Sequence, residues 1–263
     1  MGVLNVTPDS FSDGGYFLKP AAALDRALRM QEEGAHLIDV GGESSRPGSK
    51  PVTEKEELRR LVPVLKLLSK RIQIPISVDT YKTGVAHAAL DLGASLINDI
   101  YGLKNNKALA KLIARYKAGV ILMHMQGIPE TMQKKPHYKN VVSDILKMLR
   151  ASIELSLEAG IPRAGILIDP GFGFGKRFED NLKMLEQFEK FSSLNYPVLA
   201  GISRKSFIGS LLGDPAANRL HGSLAAAAAV IERGAHILRV HDVLPHRHLA
   251  AVTDALHKSD RSR

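Results

Sequence analysis

The chain alternates between short, near-continuous apolar runs and longer stretches whose apolar positions recur every three to four residues. One unit repeats with its punctuation intact: a helical stretch, a glycine, then an apolar run that ends on a polar residue. It reads Glu33-Gly34-Ala35-His36-Leu37-Ile38-Asp39, then Leu92-Gly93-Ala94-Ser95-Leu96-Ile97-Asn98-Asp99, then Arg233-Gly234-Ala235-His236-Ile237-Leu238-Arg239. Glycine just past a helix is the usual left-handed cap, and an apolar run without alternation fits a parallel strand buried on both faces. The same unit, sought along the whole chain, predicts eight strands over 3–6, 36–40, 74–79, 95–100, 119–124, 165–169, 197–201 and 236–240. Between and after them the pattern predicts helices over 21–33, 53–70, 83–92, 107–117, 141–159, 178–190, 215–233 and 245–257. Thr53, with Glu56 three residues on, predicts a capping box at the start of the second helix. Eight alternating β/α units in 263 residues predict an α/β fold, a single (β/α)8 TIM barrel forming one domain over 1–263. An open dinucleotide-binding sheet is disfavoured, because no strand is followed by G-x-G-x-x-G.

Composition changes the picture in three places. There is no cysteine, which excludes disulfides and thiolate metal sites and fits a cytoplasmic location. The longest apolar stretch, 224–231, is far too short to cross a bilayer, and no signal peptide opens the chain, so no membrane association is expected. The net charge is +9, but the 36 basic residues are scattered among 27 acidic ones without a run. With only 5% aromatic residues there are few platforms for stacking bases, so a nucleic-acid partner is not expected. A basic surface attracting an anionic small substrate fits better.

In a barrel the carboxyl ends of the strands hold the active site. Read in order, those ends are Asn5, Asp39, Asp79, Asn98, His124, Asp169, Gly201 and Arg239. Asp79, Asp169 and Asn98 converge with Lys205, which follows the seventh strand, and a set of this kind suits a planar heterocycle with an amide–amidine edge. Structural Asp–Lys ion pairs around the rim are the alternative, and Asp39 in particular could simply pair within the barrel mouth. Arg239 and His241 fall on one side of the last strand, where barrels often hold phosphate; a capping histidine is the alternative for His241. The loop Gly41-Gly42-Glu43-Ser44-Ser45-Arg46-Pro47-Gly48 adds a cation, and the stretch Val3 to Gly15 reads as a strand leading into a Ser/Asp/Gly loop around Phe11. Gly171 to Lys176 ends like a phosphate loop, but Pro170 and Arg177 stand where the Walker pattern needs glycine and Ser/Thr. Gly201-Ile202-Ser203-Arg204-Lys205 is not a nucleophile elbow, since its fifth residue is lysine.

Val3-Leu4-Asn5-Val6-Thr7-Pro8-Asp9-Ser10-Phe11-Ser12-Asp13-Gly14-Gly15, the Gly-Gly-Glu-Ser-Ser-Arg-Pro-Gly loop, Ser77-Val78-Asp79-Thr80, Ile97-Asn98-Asp99, Asp169 to Lys176, Ser203-Arg204-Lys205-Ser206 and Arg239-Val240-His241-Asp242 together resemble the dihydropteroate synthase family. The resemblance covers nearly the whole chain, with the motifs in the family's order. It implies condensation of 6-hydroxymethyl-7,8-dihydropterin diphosphate with p-aminobenzoate to give 7,8-dihydropteroate and diphosphate, by departure of diphosphate before attack of the amine. It further implies that Asp79, Asn98, Asp169 and Lys205 hold the pterin, lined by Met123, Phe174 and Gly201, with ionised Asp79 stabilising the developing cation. Asn5, Arg239 and His241 would hold the diphosphate, Asn5 also meeting Mg2+. Phe11, Ser45, Arg46, Pro47 and Ser206 would form the p-aminobenzoate site, which is also the sulfonamide site. Asp79, Lys205, Arg239 and Asn5 are thereby the expected catalytic residues, and a homodimer is expected. The second loop reads Ser44-Ser45 where the family usually has Ser-Thr, keeping the hydroxyl and losing a methyl. The chain opens inside the first strand motif, so the resemblance implies a further segment ahead of it. A pterin-dependent methyltransferase barrel and a catalytically silent pterin-binding homologue are the alternatives; Arg46, Lys205 and Ser206 argue against the first, and intact Asn5, Asp79, Lys205 and Arg239 against the second.

Overall fold

Each predicted strand window overlaps a strand, and every strand pairing is parallel. The computed structural model describes residues 1–7, 20–104, 106–213 and 219–260. In chain order the elements are β1 (Gly2–Asn5), α1 (Pro20–Glu32), β2 (Ile38–Gly41), α2 (Glu54–Arg71), β3 (Ile76–Asp79), α3 (Thr83–Asp91), β4 (Leu96–Asp99), α4 (Lys107–Arg115), β5 (Gly119–Met123), α5 (Val141–Glu158), β6 (Ile166–Asp169), α6 (Phe178–Glu186), β7 (Leu199–Ala200), α7 (Ser206–Leu212), α8 (Leu220–Glu232), β8 (Ile237–Leu238) and α9 (Val243–Asp260). Strands β1 to β6 form one continuous ladder in sequence order, and β7 pairs with β8. Two seams separate these ladders. Each is spanned by an isolated parallel bridge, Ile168 to Val198 at one and Gly2 to Val240 at the other.

The punctuation read from the sequence is what the backbone uses. Gly34, Gly93 and Gly234 have φ of 91°, 95° and 90°, so each ends its helix in the left-handed region. Val40, Val78, Ile97, Val120, Leu122 and Ile168 are fully buried and join Leu61, Leu65 and Leu68 of α2 and Leu109 and Ile113 of α4 in one core cluster. Register then does the functional work. Asn5 lies opposite Gly41, Gly41 opposite Asp79, and Asp79 opposite Asn98, so the first four strands present one row of residues at the barrel mouth.

Four expectations change. Asp39 is not a strand end: β2 continues to Gly41, which sets Asp39 lower in the barrel, opposite Val3 and Ser77. The capping box at Thr53 is half made. Thr53 Oγ1 accepts from Glu56 N at 3.2 Å, but the Glu56 carboxylate turns to Arg59 and Arg60 instead. The sixth helix ends at Glu186 and passes into a 3-10 turn, Phe188–Leu194, that buries Phe188 and Phe191. Ahead of α8 stands an extra short helix, α7, while residues 214–218, where the predicted helix was to begin, lie outside the described residues. Among the described residues no helix is long and apolar enough to cross a membrane.

Candidate active site

Arg239 organises the mouth of the barrel. From the exit of β8 its guanidinium reaches past β1, with Nε 2.7 Å from Asp39 Oδ2 and Nη2 3.0 Å from Asp79 Oδ2. Asn98 Nδ2 donates to the same Asp39 oxygen at 3.0 Å. Asp39 therefore pairs within the mouth, holding Arg239 and Asn98 in place. The second Asp39 oxygen, Oδ1, and Asn98 Oδ1 are buried and accept no hydrogen bond from the described residues. Burial and the neighbouring Asp39 charge push Asp79 up to about 7, against the pull of Arg239.

A glycine-rich loop carries the opposite wall. Asp169, at the end of β6, accepts from Gly171 N at 2.7 Å. Gly171, Gly173 and Gly175 have φ of 72°, 77° and 60°. A Cβ at Gly171 would lie 2.1 Å from the His124 carbonyl oxygen, and one at Gly175 would lie 2.2 Å from that of Gln126. The loop thus runs directly against the exit of β5 where no side chain fits, and this sets Phe174 beneath the Lys205 ammonium, 3.9 Å from the ring centroid. Gly171→Ala is expected to cost about 3 kcal/mol, from positive-φ strain plus the carbonyl clash. Denaturant unfolding measures it, and a loss below about 1 kcal/mol would show that the loop relaxes freely.

The same loop accounts for the phosphate-loop look-alike. Lys176 is buried, with Nζ 3.0 Å from His124 Nδ1 and bonded to the carbonyls of His124 and Phe174. Burial and the Lys176 charge hold His124 down to about 2, a neutral ring. His124, a polar strand end in the sequence, is therefore part of a buried clamp under the loop rather than of the mouth.

Between these walls lies a cavity of about 570 Å³. Asn5, Ser45, Arg46, Pro47, Phe174, Gly201, Lys205, Ser206, Arg239 and His241 all line it. Gly201 stands beside Asp169, whose Oδ2 would lie 3.7 Å from a Cβ at that position, an ordinary contact distance. Asp79 borders a small adjoining recess with Ser45, and Asn98 and Asp169 are buried at the strand ends. Met123 is buried in a cluster with Ile100, Met125 and Met132, and it is Met132 that reaches the cavity wall. Phe11 lies outside the described residues. Sequence reasoning missed Met132, Arg204 and Arg219, all of which line the cavity. Arg204 has a φ of 58°, held by Asp242 on its side chain and Ser223 on its backbone N–H, which turns the following Lys205 inward. Burial and the Arg239 charge bring Lys205 down to about 8. The same causes hold His241 down to about 3, so it meets the cavity as a neutral imidazole that offers a hydrogen bond rather than a charge.

The family model for pterin-binding enzymes matches residues 1–241. The chain is 44% identical to the dihydropteroate synthase of Bacillus subtilis (strain 168) over 256 residues, which is 97% of this chain and 87% of that relative. Its fold is similar to that of the Yersinia pestis dihydropteroate synthase solved in complex with a sulfonamide drug, with a TM-score of 0.92 and 43% identity over 98% of this chain and 93% of that one. It is similar also to the Xanthomonas albilineans dihydropteroate synthase solved with 4-aminobenzoic acid, at a TM-score of 0.91 and 44% identity over 97% of this chain and 92% of that one.

Proposed function

The chain belongs to the pterin-binding enzyme family, among its dihydropteroate synthases, and from that premise we propose how its site divides the work. The enzyme condenses 6-hydroxymethyl-7,8-dihydropterin diphosphate with p-aminobenzoate, giving 7,8-dihydropteroate and diphosphate. We assign the pterin to the acceptor-rich strand ends: Asp79, Asn98 and Asp169 take its N–H edge, while Lys205 and Phe174 close one side, with Met123 behind them. Asn5, Arg239 and His241 take the diphosphate. Ser45, Arg46, Pro47 and Ser206 take p-aminobenzoate, with Phe11 assigned there from the sequence alone. A sulfonamide would compete at this last position. The observation that carries the assignment is the meeting, in one mouth, of buried acceptors with a cavity wall supplied with Lys205, Arg239 and Arg46.

In this reading the methylene C–O bond breaks first, and its electron pair leaves with the diphosphate. Arg239 and the His241 N–H stabilise the growing negative charge. The positive charge left behind spreads into the pterin, where ionised Asp79 opposes it. The aniline lone pair then forms the C–N bond and the nitrogen releases a proton. That attack requires alignment by the second loop more than a base. Mg2+, which favours oxygen donors, would suit the amide oxygen of Asn5 on the cavity wall assigned to the diphosphate. Among the described residues no cluster of His, Cys, Asp or Glu could hold a metal alone. Asn5 would hold the ion, which supplies charge neutralisation of the leaving group.

The test is product formation from pterin diphosphate, p-aminobenzoate and Mg2+, following diphosphate and dihydropteroate together. Both products, each dependent on both substrates, are expected; binding of pterin diphosphate without product would overturn the reading. The pH dependence follows from the two shifted groups. Asp79, raised to about 7, is protonated and unable to oppose positive charge below that pH. Lys205, lowered to about 8, loses its charge above it. The free enzyme should therefore show kcat/KM falling on both sides of a narrow optimum, and Lys205→Arg should move the alkaline limb upward. A flat profile between pH 6 and 9 would contradict both roles.

A homodimer and a cytoplasmic location complete the proposal. Leu211 and Leu212 of α7 with Leu244, Val252 and Leu256 of α9 leave large apolar side chains exposed, as a surface covered by a second copy would. The absence of cysteine fits a reducing compartment.

A further inference from the structure

The second loop, residues 42–52, brings Ser45, Arg46 and Pro47 to the cavity, but its root is gripped elsewhere. Glu43 accepts from the Tyr81 hydroxyl at 3.0 Å, from Val52 N at 3.1 Å and from the Lys82 ammonium. A single carboxylate thus fastens both ends of the loop to each other and to the chain leaving β3, two residues past Asp79. The anchor is firm. Asn106 Nδ2 donates to the Tyr81 carbonyl at 2.9 Å, and the Tyr81 ring meets Tyr101 edge-on with centroids 5.0 Å apart. Lys82 also pairs with Glu57, whose side chain is 1% exposed. On the near side Arg60 Nη1 holds the Gly42 carbonyl at 2.9 Å, and a Cβ at Gly42 would lie 2.8 Å from Leu61 Cγ.

We infer that Glu43 is the positioning residue of the p-aminobenzoate loop, setting Ser45, Arg46 and Pro47 against the strand that carries Asp79. The inference rests on the assignment of that loop to p-aminobenzoate. Charge-assisted hydrogen bonds at a half-buried site are strong enough to fix a loop that few apolar contacts hold. Because the hydrogen bonds of Glu43 go to Val52, Tyr81 and Lys82 and to none of the pterin acceptors or Arg239, its loss should be felt chiefly in one substrate.

Glu43→Gln is the experiment. The amide keeps the volume, and Lys82 keeps Glu57, so no buried cation is stranded and the fold persists. KM for p-aminobenzoate should rise roughly tenfold and kcat should fall with the lost alignment of the amine, while the dissociation constant of pterin diphosphate stays within about twofold. Tyr81→Phe removes one bond with no change of charge and should raise the same KM about threefold. An unchanged KM for p-aminobenzoate in Glu43→Gln, or an equal loss of pterin diphosphate affinity, overturns the proposal. Arg46→Ala run in parallel separates the premise from the inference. A raised KM there with a normal KM in Glu43→Gln overturns the role of Glu43 alone. A normal KM in both removes the assignment of the loop as well.

Discussion

Replacing Asp79 by asparagine should lower turnover by two to three orders of magnitude, ~10²–10³-fold, while part of the pterin affinity survives. Asparagine occupies the same space and still accepts a hydrogen bond, so the heterocycle keeps a partner. What it loses is the negative charge that the proposed mechanism sets against the carbon from which diphosphate departs. The site makes that charge count, because Asp79 is held close to Arg239 in surroundings that already push its carboxyl up to about 7. In the variant Arg239 falls back on Asp39 alone, and the mouth becomes more positive just where positive charge must develop. Turnover measured from diphosphate release at saturating substrates, beside the pterin diphosphate dissociation constant, tests this. Turnover within about tenfold of the parent enzyme would remove the electrostatic role of Asp79.

Arg239→Ala should do two separable kinds of damage. Affinity for pterin diphosphate should fall about a hundredfold, from the loss of a fixed charge-assisted contact, while the pterin alcohol without its diphosphate should bind nearly as before. Stability should fall as well, by about 3–5 kcal/mol, because Asp39 is fully buried and would be left without its cation. The two effects can be pulled apart. Arg239→Met combined with Asp39→Asn removes the stranded charge, so denaturant stability should largely return while diphosphate affinity does not. If the double variant regains affinity, Arg239 serves the barrel and not the diphosphate.

The fold was legible because this chain marks its own elements. Gly34, Gly93 and Gly234 separate helix from strand with a cap that the backbone then adopts, and runs such as Leu96-Ile97-Asn98-Asp99 end on the residues that reach the mouth. Asp79, Asn98, Asp169 and Arg239 could be placed at the mouth from strand ends alone, although register sets only Asp79 and Asn98 at one level and carries Asp169 two residues farther along. The seven residues of α7 escaped because they make under two turns, too few for a periodicity to declare itself. Arg204, Arg219 and Met132 escaped for another reason. Each reaches the cavity from a loop or a helix start, and the partner that orients it, as Asp242 orients Arg204, is distant in sequence. Glu43 and Lys82 are likewise ordinary charged loop residues until folding buries them together. The link from Arg239 to Asp39 spans 200 positions, and no local pattern carries information over such a distance.

That link also bears on how the barrel holds together. At the seam between β8 and β1 the backbone contributes one isolated bridge, and the Arg239 side chain crosses that seam to strands two and three. The guanidinium is thus a stitch in addition to its proposed role as a binding group. A diphosphate that engages it holds both edges of the seam at once, and ligand present at a hundred times its dissociation constant adds about 2.7 kcal/mol to the closed form. With Arg239 in the proposed diphosphate role, opening of the ring at β7 and β8 is expected to fall as pterin diphosphate is supplied. Limited proteolysis with and without pterin diphosphate reads this directly: cleavage at β7 and β8 should slow when the ligand is present.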